Sequence, residues 1–212
     1  KNPLTPIQLS IDRIKEKYLN KVDDDKNFSN YLNTITKQIK DIEHLLNEFS
    51  DFARMPKPIL KKIDLNKIIS RSVNLHELSE KDKTFRLSKG KLSSYISGDE
   101  EQLNRVFINL IKNSIESIDE KKTKKVDIKG EITIDIKSDS DYIYVTIVDN
   151  GMGFEHVDKI KMLTPYYTTK KKGTGLGLAI VTKVISDHNG TILFNSIKNG
   201  AKVDIILPKY YG

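Results

Sequence analysis

Two glycine clusters, separated by a polar segment rich in lysine and threonine, constrain the fold of this chain more than any other feature. The first cluster, DNGMG at 149–153, follows an alternating β-type run, and the second, GTGLG at 173–177, runs into an apolar helical pattern. Glycine allows a positive φ and a close approach of the backbone to a ligand. Backbone N–H groups at a helix N-terminus favour anions. This order of elements predicts a nucleotide phosphate held beneath a mobile flap.

The glycine spacing by itself leaves alternatives open. Gly173-x-Gly175-x-Gly177 differs from the dinucleotide pattern G-x-G-x-x-G and from the Walker A pattern. Each cluster alone is also compatible with an ordinary loop between a strand and a helix. Two clusters that bracket a lysine- and threonine-rich segment are harder to explain as loop structure, so the pair favours phosphate binding.

A helix predicted over about 100–119, with Asp99 as its cap, carries a pair of carboxamides. Asn109 and Asn113 are four residues apart and therefore share one face. They lie beside an apolar stripe, where an amide packs poorly. An amide can instead hold Mg²⁺ through its oxygen while it hydrogen-bonds phosphate. The pattern predicts that both residues belong to the nucleotide site.

Taken in order, these motifs resemble the ATP-binding domain of sensor histidine kinases, within the wider gyrase/Hsp90/kinase/MutL ATPase superfamily. Residues 109–113 resemble the N box, 149–153 the G1 box and 173–177 the G2 box, while 163–170 (LTPYYTTK) resemble the F-box part of the lid. The KNPLTP and YTTK strings are similar to the nitrogen-regulation, NtrY/NtrB-like group. The resemblance implies an α+β fold, in which an antiparallel helical hairpin (half of a dimeric four-helix bundle) precedes an α/β sandwich of the histidine-kinase ATPase (Bergerat) type.

The resemblance also implies a role for each matching residue. Asp149 would accept the adenine amino hydrogen, Asn113 would ligate Mg²⁺ and Asn109 would support the phosphates. Lys170 would supply charge to the β- and γ-phosphates. The remaining residues expected to bind the nucleotide are Gly151, Gly153, Thr169, Gly173, Thr174, Gly175, Leu176 and Gly177. Hydrolytic members of the superfamily place glutamate where Asn109 stands; since asparagine cannot act as a base, transfer is favoured over hydrolysis.

The N-terminal quarter of the chain reads as a helical hairpin, with helices over about 1–21 and 28–54. The apolar positions of the second helix fall close to a heptad stripe. A hairpin is too thin to bury such a stripe alone, so pairing with a second copy is predicted; packing on its own globular domain is the alternative. Residues 55–58 (MPKP) break the helix. We therefore expect a dimerisation and phosphotransfer hairpin at 1–55, a linker at 56–62 and a catalytic ATP-binding domain at 63–212.

The opening string KNPLTP resembles the segment just after the phosphate-accepting histidine of kinase dimerisation helices, where His-Glu-Ile usually precedes it. The fragment would thus begin just after the acceptor, bind ATP and be unable to phosphorylate itself. Asn2 would orient the water that hydrolyses an aspartyl phosphate, or simply start the helix. Solvated or packed positions are expected for all four histidines, which are His44, His76, His156 and His188.

Composition narrows the class of partner. The chain has 212 residues, a formal net charge of +7 from dispersed lysine, and no cysteine. Without an aromatic-basic stripe, this charge does not predict nucleic-acid binding. No apolar run approaches the length of a membrane span. The resemblance implies a homodimer, a response-regulator receiver domain as partner, and a parent protein held at the cytoplasmic side of the bacterial inner membrane by missing upstream segments.

Two other classes of function compete with the kinase. The first is a dimeric scaffold that binds ATP and a response regulator and acts mainly as a phosphatase or allosteric switch. The second is a superfamily ATPase, which Asn109 and the hairpin oppose.

For the catalytic domain, the pattern further predicts helices over 65–79 and 176–188, a basic loop over 121–130, and strands near 84–88, 93–97, 131–137, 142–149, 191–197 and 201–207.

Overall fold

The computed structural model describes residues 4–19, 25–90, 94–124, 128–154, 159–168 and 174–211. It divides into two compact units, Lys1–Met55 and Pro56–Gly212. The first unit is helical and the second combines helices with β-sheet. This confirms the predicted α+β class.

The first unit consists of α1 (Thr5–Tyr18) and α2 (Asp25–Ala53). A proline in the first turn of α1 suits that position, because the first N–H groups of a helix have no partner within it. The two helices pack through a small buried cluster of Ile11, Leu32 and Ile39. Other apolar residues of α2 remain exposed in the single chain; they are Tyr31, Ile35, Ile42, Leu45, Leu46 and Phe49.

Eleven elements make up the second unit within the described residues. They are β1 (Lys61–Asp64), α3 (Leu65–Ser79), β2 (Lys83–Lys89), β3 (Tyr95–Gly98), α4 (Glu100–Thr123), β4 (Gly130–Ser138), β5 (Tyr142–Asp149), α5 (Lys159–Leu163), α6 (Gly177–Asp187), β6 (Thr191–Ile197) and β7 (Gly200–Pro208). The main sheet has the order β2-β4-β5-β7-β6, while β1 pairs with β3. Only the β2–β4 pair is parallel; the other pairs are antiparallel.

The sheet forms one layer of the second unit and the helices form the other. Helix α3 packs on β2, α4 on β4 and β5, and α6 on β6. Alternate residues of the central strands point into the core, as the period of a strand requires. The core of β4 and β5 comprises Ile132, Ile134, Ile136, Ile143, Val145 and Ile147, which are all nearly inaccessible to solvent. The buried stripe of α4 covers them, so the helix that carries Asn109 and Asn113 lies directly on the strand that ends at Asp149.

Two aspartates cap helices of the second unit, Asp64 at α3 and Asp99, as predicted, at α4. The Asp64 carboxylate accepts a hydrogen bond from Asn66 N–H at 3.0 Å at the start of α3. The Asp99 carboxylate accepts from the N–H groups of Glu101 and Gln102, both at 3.1 Å, at the start of α4. Each side chain satisfies helix donors that lack a partner within the helix.

Three parts of the second unit differ from the expectation. Strand β1 was not predicted and takes Lys61 and Lys62 from the expected linker; it buries only Ile63, too little to produce a periodic pattern. Helix α5 was also not predicted. Helix α4 runs to Thr123, so Lys121 and Lys122 are helical where a basic loop was expected. Lysine and glutamate are good helix formers, and no glycine or proline occurs between Gly98 and Gly130.

Candidate functional site

Asp149 ends β5 as a buried carboxylate that is only 6% exposed. Burial raises the pKa of this carboxyl, against hydrogen bonds from Gly151 N–H, the Ser114 hydroxyl and Ala201 N–H and the charge of Lys121, all of which lower it. An ionised carboxylate offers about four acceptor positions. Gly151 N–H donates to one carboxylate oxygen at 2.9 Å, so acceptor positions remain for a donor from a ligand.

Helix α4 fixes the turn that follows Asp149. The Ser117 hydroxyl oxygen accepts a hydrogen bond from Met152 N–H at 2.9 Å. The Lys121 ammonium group donates to the carbonyl oxygens of Asn150, at 2.8 Å, and Gly151, at 2.9 Å. Both side chains come from the helix that carries the asparagine pair. The turn is therefore held in register with Asn113, which lies one helical turn before Ser117.

The glycines of this turn are required by its packing. A Cβ atom on Gly151 would collide with the side chain and backbone of Ser117. Gly153 has a φ of +72°, and a Cβ there would lie 2.5 Å from the Gly200 carbonyl oxygen. We expected these glycines to allow a close approach to the base. In the structure, they allow a close approach of the turn to α4 and β7.

Asn109 and Asn113 lie on α4 as half-buried residues. Their helix packs against α6, which follows the second glycine motif, and contacts β5, which ends at the first. Among the described residues, no group of three or more histidine, aspartate or glutamate side chains could hold a metal ion. The amide oxygens of this pair have the chemistry that a hard cation such as Mg²⁺ accepts.

The second glycine motif leads into α6. Leu176 is buried at the helix start, and its N–H donates to the Thr174 hydroxyl at 3.4 Å. Gly175 has a φ of +72°, and its carbonyl oxygen accepts from Tyr166 N–H at 3.1 Å. This bond joins the segment after α5 to the glycine turn. An added Cβ on Gly177 would meet no atom within 4 Å, so open space adjoins the first turn of α6.

Four residues expected in the site lie outside the described residues: Asn2, Thr169, Lys170 and Gly173. The expected residues that the structure does describe fall into three groups. Asp149, Gly151 and Gly153 form the turn on α4; Asn109 and Asn113 lie on α4 itself; and Thr174, Gly175, Leu176 and Gly177 lead into α6.

Several residues that shape the site were not predicted from the sequence. Ser114, Ser117 and Lys121 hold Asp149 or its turn, and a Cβ on Gly200 would overlap the Asp149 carbonyl oxygen. One signal was available, because Ser117 and Lys121 continue the four-residue spacing of the asparagine pair. Gly200 carries a φ of +144° and gave no such signal beyond its place in a turn.

His188 is a packed histidine, one of the two alternatives expected. It is 2% exposed, and its Nε2 accepts from Asp99 N–H at 2.9 Å. Its Nδ1 lies 2.8 Å from the Val184 carbonyl oxygen, so Nδ1 carries the proton in this arrangement. The residue joins the end of α6 to the start of α4. The side chains of His44 and His156 lie outside the description.

Comparison with protein families covers both units of the chain. The family described as "His Kinase A (phospho-acceptor) domain" matches residues 1–58. The family described as "Histidine kinase-, DNA gyrase B-, and HSP90-like ATPase" matches residues 98–211, more than half of the chain. The chain belongs to the sensor histidine kinases. The predicted membership of the sensor histidine kinases is thus confirmed, and the relatives described below support the predicted NtrY group.

Curated relatives of this kinase chain include nitrogen regulation protein NtrY of Azorhizobium caulinodans, 37% identical over 94% of this chain and 26% of that protein. An NtrY-like sensor histidine kinase of Rickettsia felis is 35% identical over 97% of this chain and 33% of its own length. Sporulation kinase C of Bacillus subtilis is 30% identical over 98% of this chain and 46% of its own length. The chain thus spans about a quarter to under half of the length of these relatives.

Solved structures agree with the fold. Histidine kinase ThkA in complex with response regulator protein TrrA matches with a TM-score of 0.71 and 25% identity, over 99% of this chain and 58% of that one. Full-length ShkA in complex with AMPPNP matches with a TM-score of 0.73, over 100% of this chain and 44% of that one. Its sequence identity of 16% supports the fold alone. In the part of the kinase chain that the structure describes, no helix combines the length and apolarity needed to cross a membrane.

Proposed function

We propose that this chain is the catalytic region of a two-component sensor histidine kinase that binds Mg-ATP and transfers its γ-phosphate to a histidine. A response-regulator aspartate is the next acceptor. The observation that carries the proposal is the turn after Asp149, which side chains of the asparagine-bearing helix hold in place. An adenine-reading carboxylate and a metal-binding amide are thereby fixed on one rigid support, as positioned phosphoryl transfer requires.

The nucleotide lies with its base at Asp149 and its phosphates near the asparagine pair and the start of α6. The adenine amino group donates to a carboxylate oxygen of Asp149, which has more acceptor positions than the one that Gly151 N–H uses. The phosphates face the first turn of α6, where open space beside Gly177 can admit them. The N-terminus of this 11-residue helix favours negative charge there. Lys170 adds positive charge, as expected from the sequence.

The asparagine pair selects the acceptor of the phosphoryl group. Asn113 ligates Mg²⁺ through its amide oxygen, and Asn109 supports the phosphates. When bound, Mg²⁺ would neutralise part of the negative charge of the phosphates. Asn109 has no basic group with which to take a proton from water. Transfer to histidine is therefore favoured over hydrolysis, which argues against the superfamily ATPase alternative.

The proposed partners of this chain are a second copy, bound through the helical hairpin, and a response regulator. The exposed apolar positions of α2 form a stripe that a second copy can bury, which supports a homodimer. ThkA, with 25% identity to this chain, is described in complex with a response regulator. A receiver domain is therefore the proposed partner, and Asn2 is the proposed water-orienting residue of a phosphatase step. The whole protein would be a phosphoprotein at the cytoplasmic side of the inner membrane.

A phosphorylation assay tests transfer. The chain is extended by His-Glu-Ile before Lys1 and incubated with Mg-ATP labelled in the γ-phosphate. The expected product is an acid-labile, base-stable phosphate on the added histidine, lost in the Asn113→Ala variant and kept in the Asn74→Ala control, where an exposed asparagine of α3 is changed. Release of inorganic phosphate without labelled protein would contradict transfer and favour an ATPase.

A further inference from the structure

Lys121 makes contacts that the proposed nucleotide site does not explain. It lies in the last turns of α4, and its ammonium group donates to the carbonyl oxygens of Asn150 and Gly151 at 2.8 and 2.9 Å. Both oxygens belong to the turn directly after Asp149. A positive charge on this helix is thus bound to the backbone of the base-reading turn.

The two peptide units of this turn are fixed at both ends. In the unit that joins Asn150 to Gly151, the carbonyl accepts from Lys121 and the N–H donates to the Asp149 carboxylate at 2.9 Å. In the unit that joins Gly151 to Met152, the carbonyl accepts from Lys121 and the N–H donates to Ser117. One lysine therefore holds both carbonyls, and rotation of either peptide would break a bond at each end.

The contacts of Lys121 are also of the stronger kind. A hydrogen bond from a charged donor is roughly twice as strong as one between neutral groups. Asn113, Ser117 and Lys121 recur every four residues, so they project from one face of α4. Helix α4 thereby sets both the position of the turn and its distance from the expected metal ligand.

We propose that Lys121 is a positioning residue for purine specificity, which orients the Asp149 carboxylate toward a 6-amino purine by fixing the two peptides of the turn. This inference rests on the proposed ATP-binding function. Removal of Lys121 frees the carbonyls of Asn150 and Gly151, and the Gly151 N–H no longer holds the carboxylate in one orientation. Recognition of the amino group is then lost more than binding of the rest of the nucleotide.

A direct contact of Lys121 with the nucleotide is the competing role. A cleft of about 270 Å³ beside the turn is lined by Lys121, Lys124, Lys198 and the backbone of Gly151. A lysine that used this cleft to bind phosphate or ribose would support every nucleoside triphosphate equally. A positioning lysine would support only those purines that carry the amino group. Two ligands that differ in this group alone can distinguish the roles.

Titration calorimetry with Mg-ATP and with the Mg complex of purine riboside triphosphate, which lacks the 6-amino group, measures this difference. In Lys121→Met, the affinity for Mg-ATP should fall by about tenfold while that for the analogue changes by less than about twofold, because one set of charge-assisted hydrogen bonds is lost. Lys121→Arg keeps the charge and the donors, so it should keep the ratio of the two affinities. Lys124→Met is the matched control, since Lys124 pairs with Glu120 and holds no carbonyl of the turn.

The outcomes separate the inference from the function on which it rests. Wild-type chain that binds neither ligand would overturn the proposed function together with the role of Lys121. Wild-type chain that prefers Mg-ATP, with an unchanged or equally weakened pair of affinities in Lys121→Met, would overturn the role of Lys121 alone. Thermal unfolding by circular dichroism checks that each variant is folded. Lys121→Gln keeps amide N–H donors without the charge, so it should lose part of the preference for Mg-ATP over the analogue. It replaces the methionine variant if that one unfolds.

Discussion

The Ser117 hydroxyl oxygen accepts a hydrogen bond from Met152 N–H at 2.9 Å, across 35 residues of the chain. This contact brings the turn after Asp149 so close to α4 that residue 151 has no room for a side chain. The Asp149 carboxylate, which we propose reads adenine, is therefore positioned by helix packing as well as by its own strand.

Replacement of Gly151 tests this packing. Gly151→Ala places a methyl group against Ser117, and the turn must move away from α4. We expect a loss of about 1–3 kcal/mol in the free energy of unfolding, as for an overpacked core. Because the turn that positions Asp149 is displaced, Mg-ATP binding should weaken by at least about tenfold, which corresponds to about 1.4 kcal/mol. Urea unfolding and calorimetry measure the two effects.

Gly177→Ala provides the contrast for stability. A Cβ at Gly177 meets no atom within 4 Å, and alanine is the better helix former at the start of α6. Its free energy of unfolding should equal or exceed that of the wild type. Equal destabilisation by the two substitutions would show that the close approach to Ser117 does not matter.

The raised pKa of Asp149 predicts a pH dependence of nucleotide binding. Burial raises the pKa above the ordinary value of 3.8, and only the ionised carboxylate is a full acceptor for the adenine amino group. Affinity for Mg-ADP should thus be highest above this raised pKa and fall as the pH is lowered through it. The ratio of wild-type to Asp149→Asn affinity between pH 7.5 and pH 4.5 cancels titration of the nucleotide itself. A ratio that stays constant over this range would contradict the ionised role of Asp149.

The contacts of Lys83 predict an effect on stability. Its side chain is 3% exposed, and its ammonium group contacts carboxylates of Glu80, Asp82 and Asp119 at 2.6, 3.1 and 2.9 Å. Lys83→Met leaves three carboxylates without their shared cation and should cost about 2 kcal/mol of unfolding free energy. Lys89→Met, at the exposed end of the same strand, should change it by less than about 0.5 kcal/mol. Equal midpoints in urea for the two variants would refute the role of this cluster.

The exposed stripe of α2 predicts the oligomeric state. Ile42, Leu45 and Phe49 are 48%, 44% and 46% exposed in the single chain and recur at helical spacing. We expect the wild type to sediment at twice the 24.2 kDa of one chain. Leu45→Asp should shift it to the monomer because the charge is buried in the paired stripe, whereas Lys40→Glu, at an exposed polar position, should not. A wild-type monomer at micromolar concentration would contradict the four-helix bundle.

The sequence identifies candidate site residues where residue type and spacing carry the chemistry. Asp149 follows an alternating strand and starts a glycine turn, and Asn109 and Asn113 interrupt an apolar helix with amides. Asp64 and Asp99 fit the preferences of helix caps. These features are local and can be detected in a single sequence, and the fold class followed from the family resemblance that the motifs carry.

The contacts that shape the site were not predictable because they are made in three dimensions. Lys121 looks like part of a solvated basic run, and only the approach of the turn shows which atoms its ammonium group binds. Ser117 is similar, since a serine within a helix carries no sign of a partner 35 residues away. Strand β1 has one buried residue, Ile63, and therefore no periodicity to detect.

Calorimetric titration of Mg-ATP and Mg-GTP into the wild-type chain and into Asp149→Asn tests most directly whether Asp149 reads adenine. The carboxylate can accept a hydrogen bond from the amino group of adenine, whereas guanine presents a carbonyl oxygen at the same position. We predict binding of Mg-ATP by the wild type, none of Mg-GTP, and weakened Mg-ATP binding by Asp149→Asn. Equal affinity for the two nucleotides, or full Mg-ATP affinity in Asp149→Asn, would contradict the assignment of Asp149 as the adenine-reading residue.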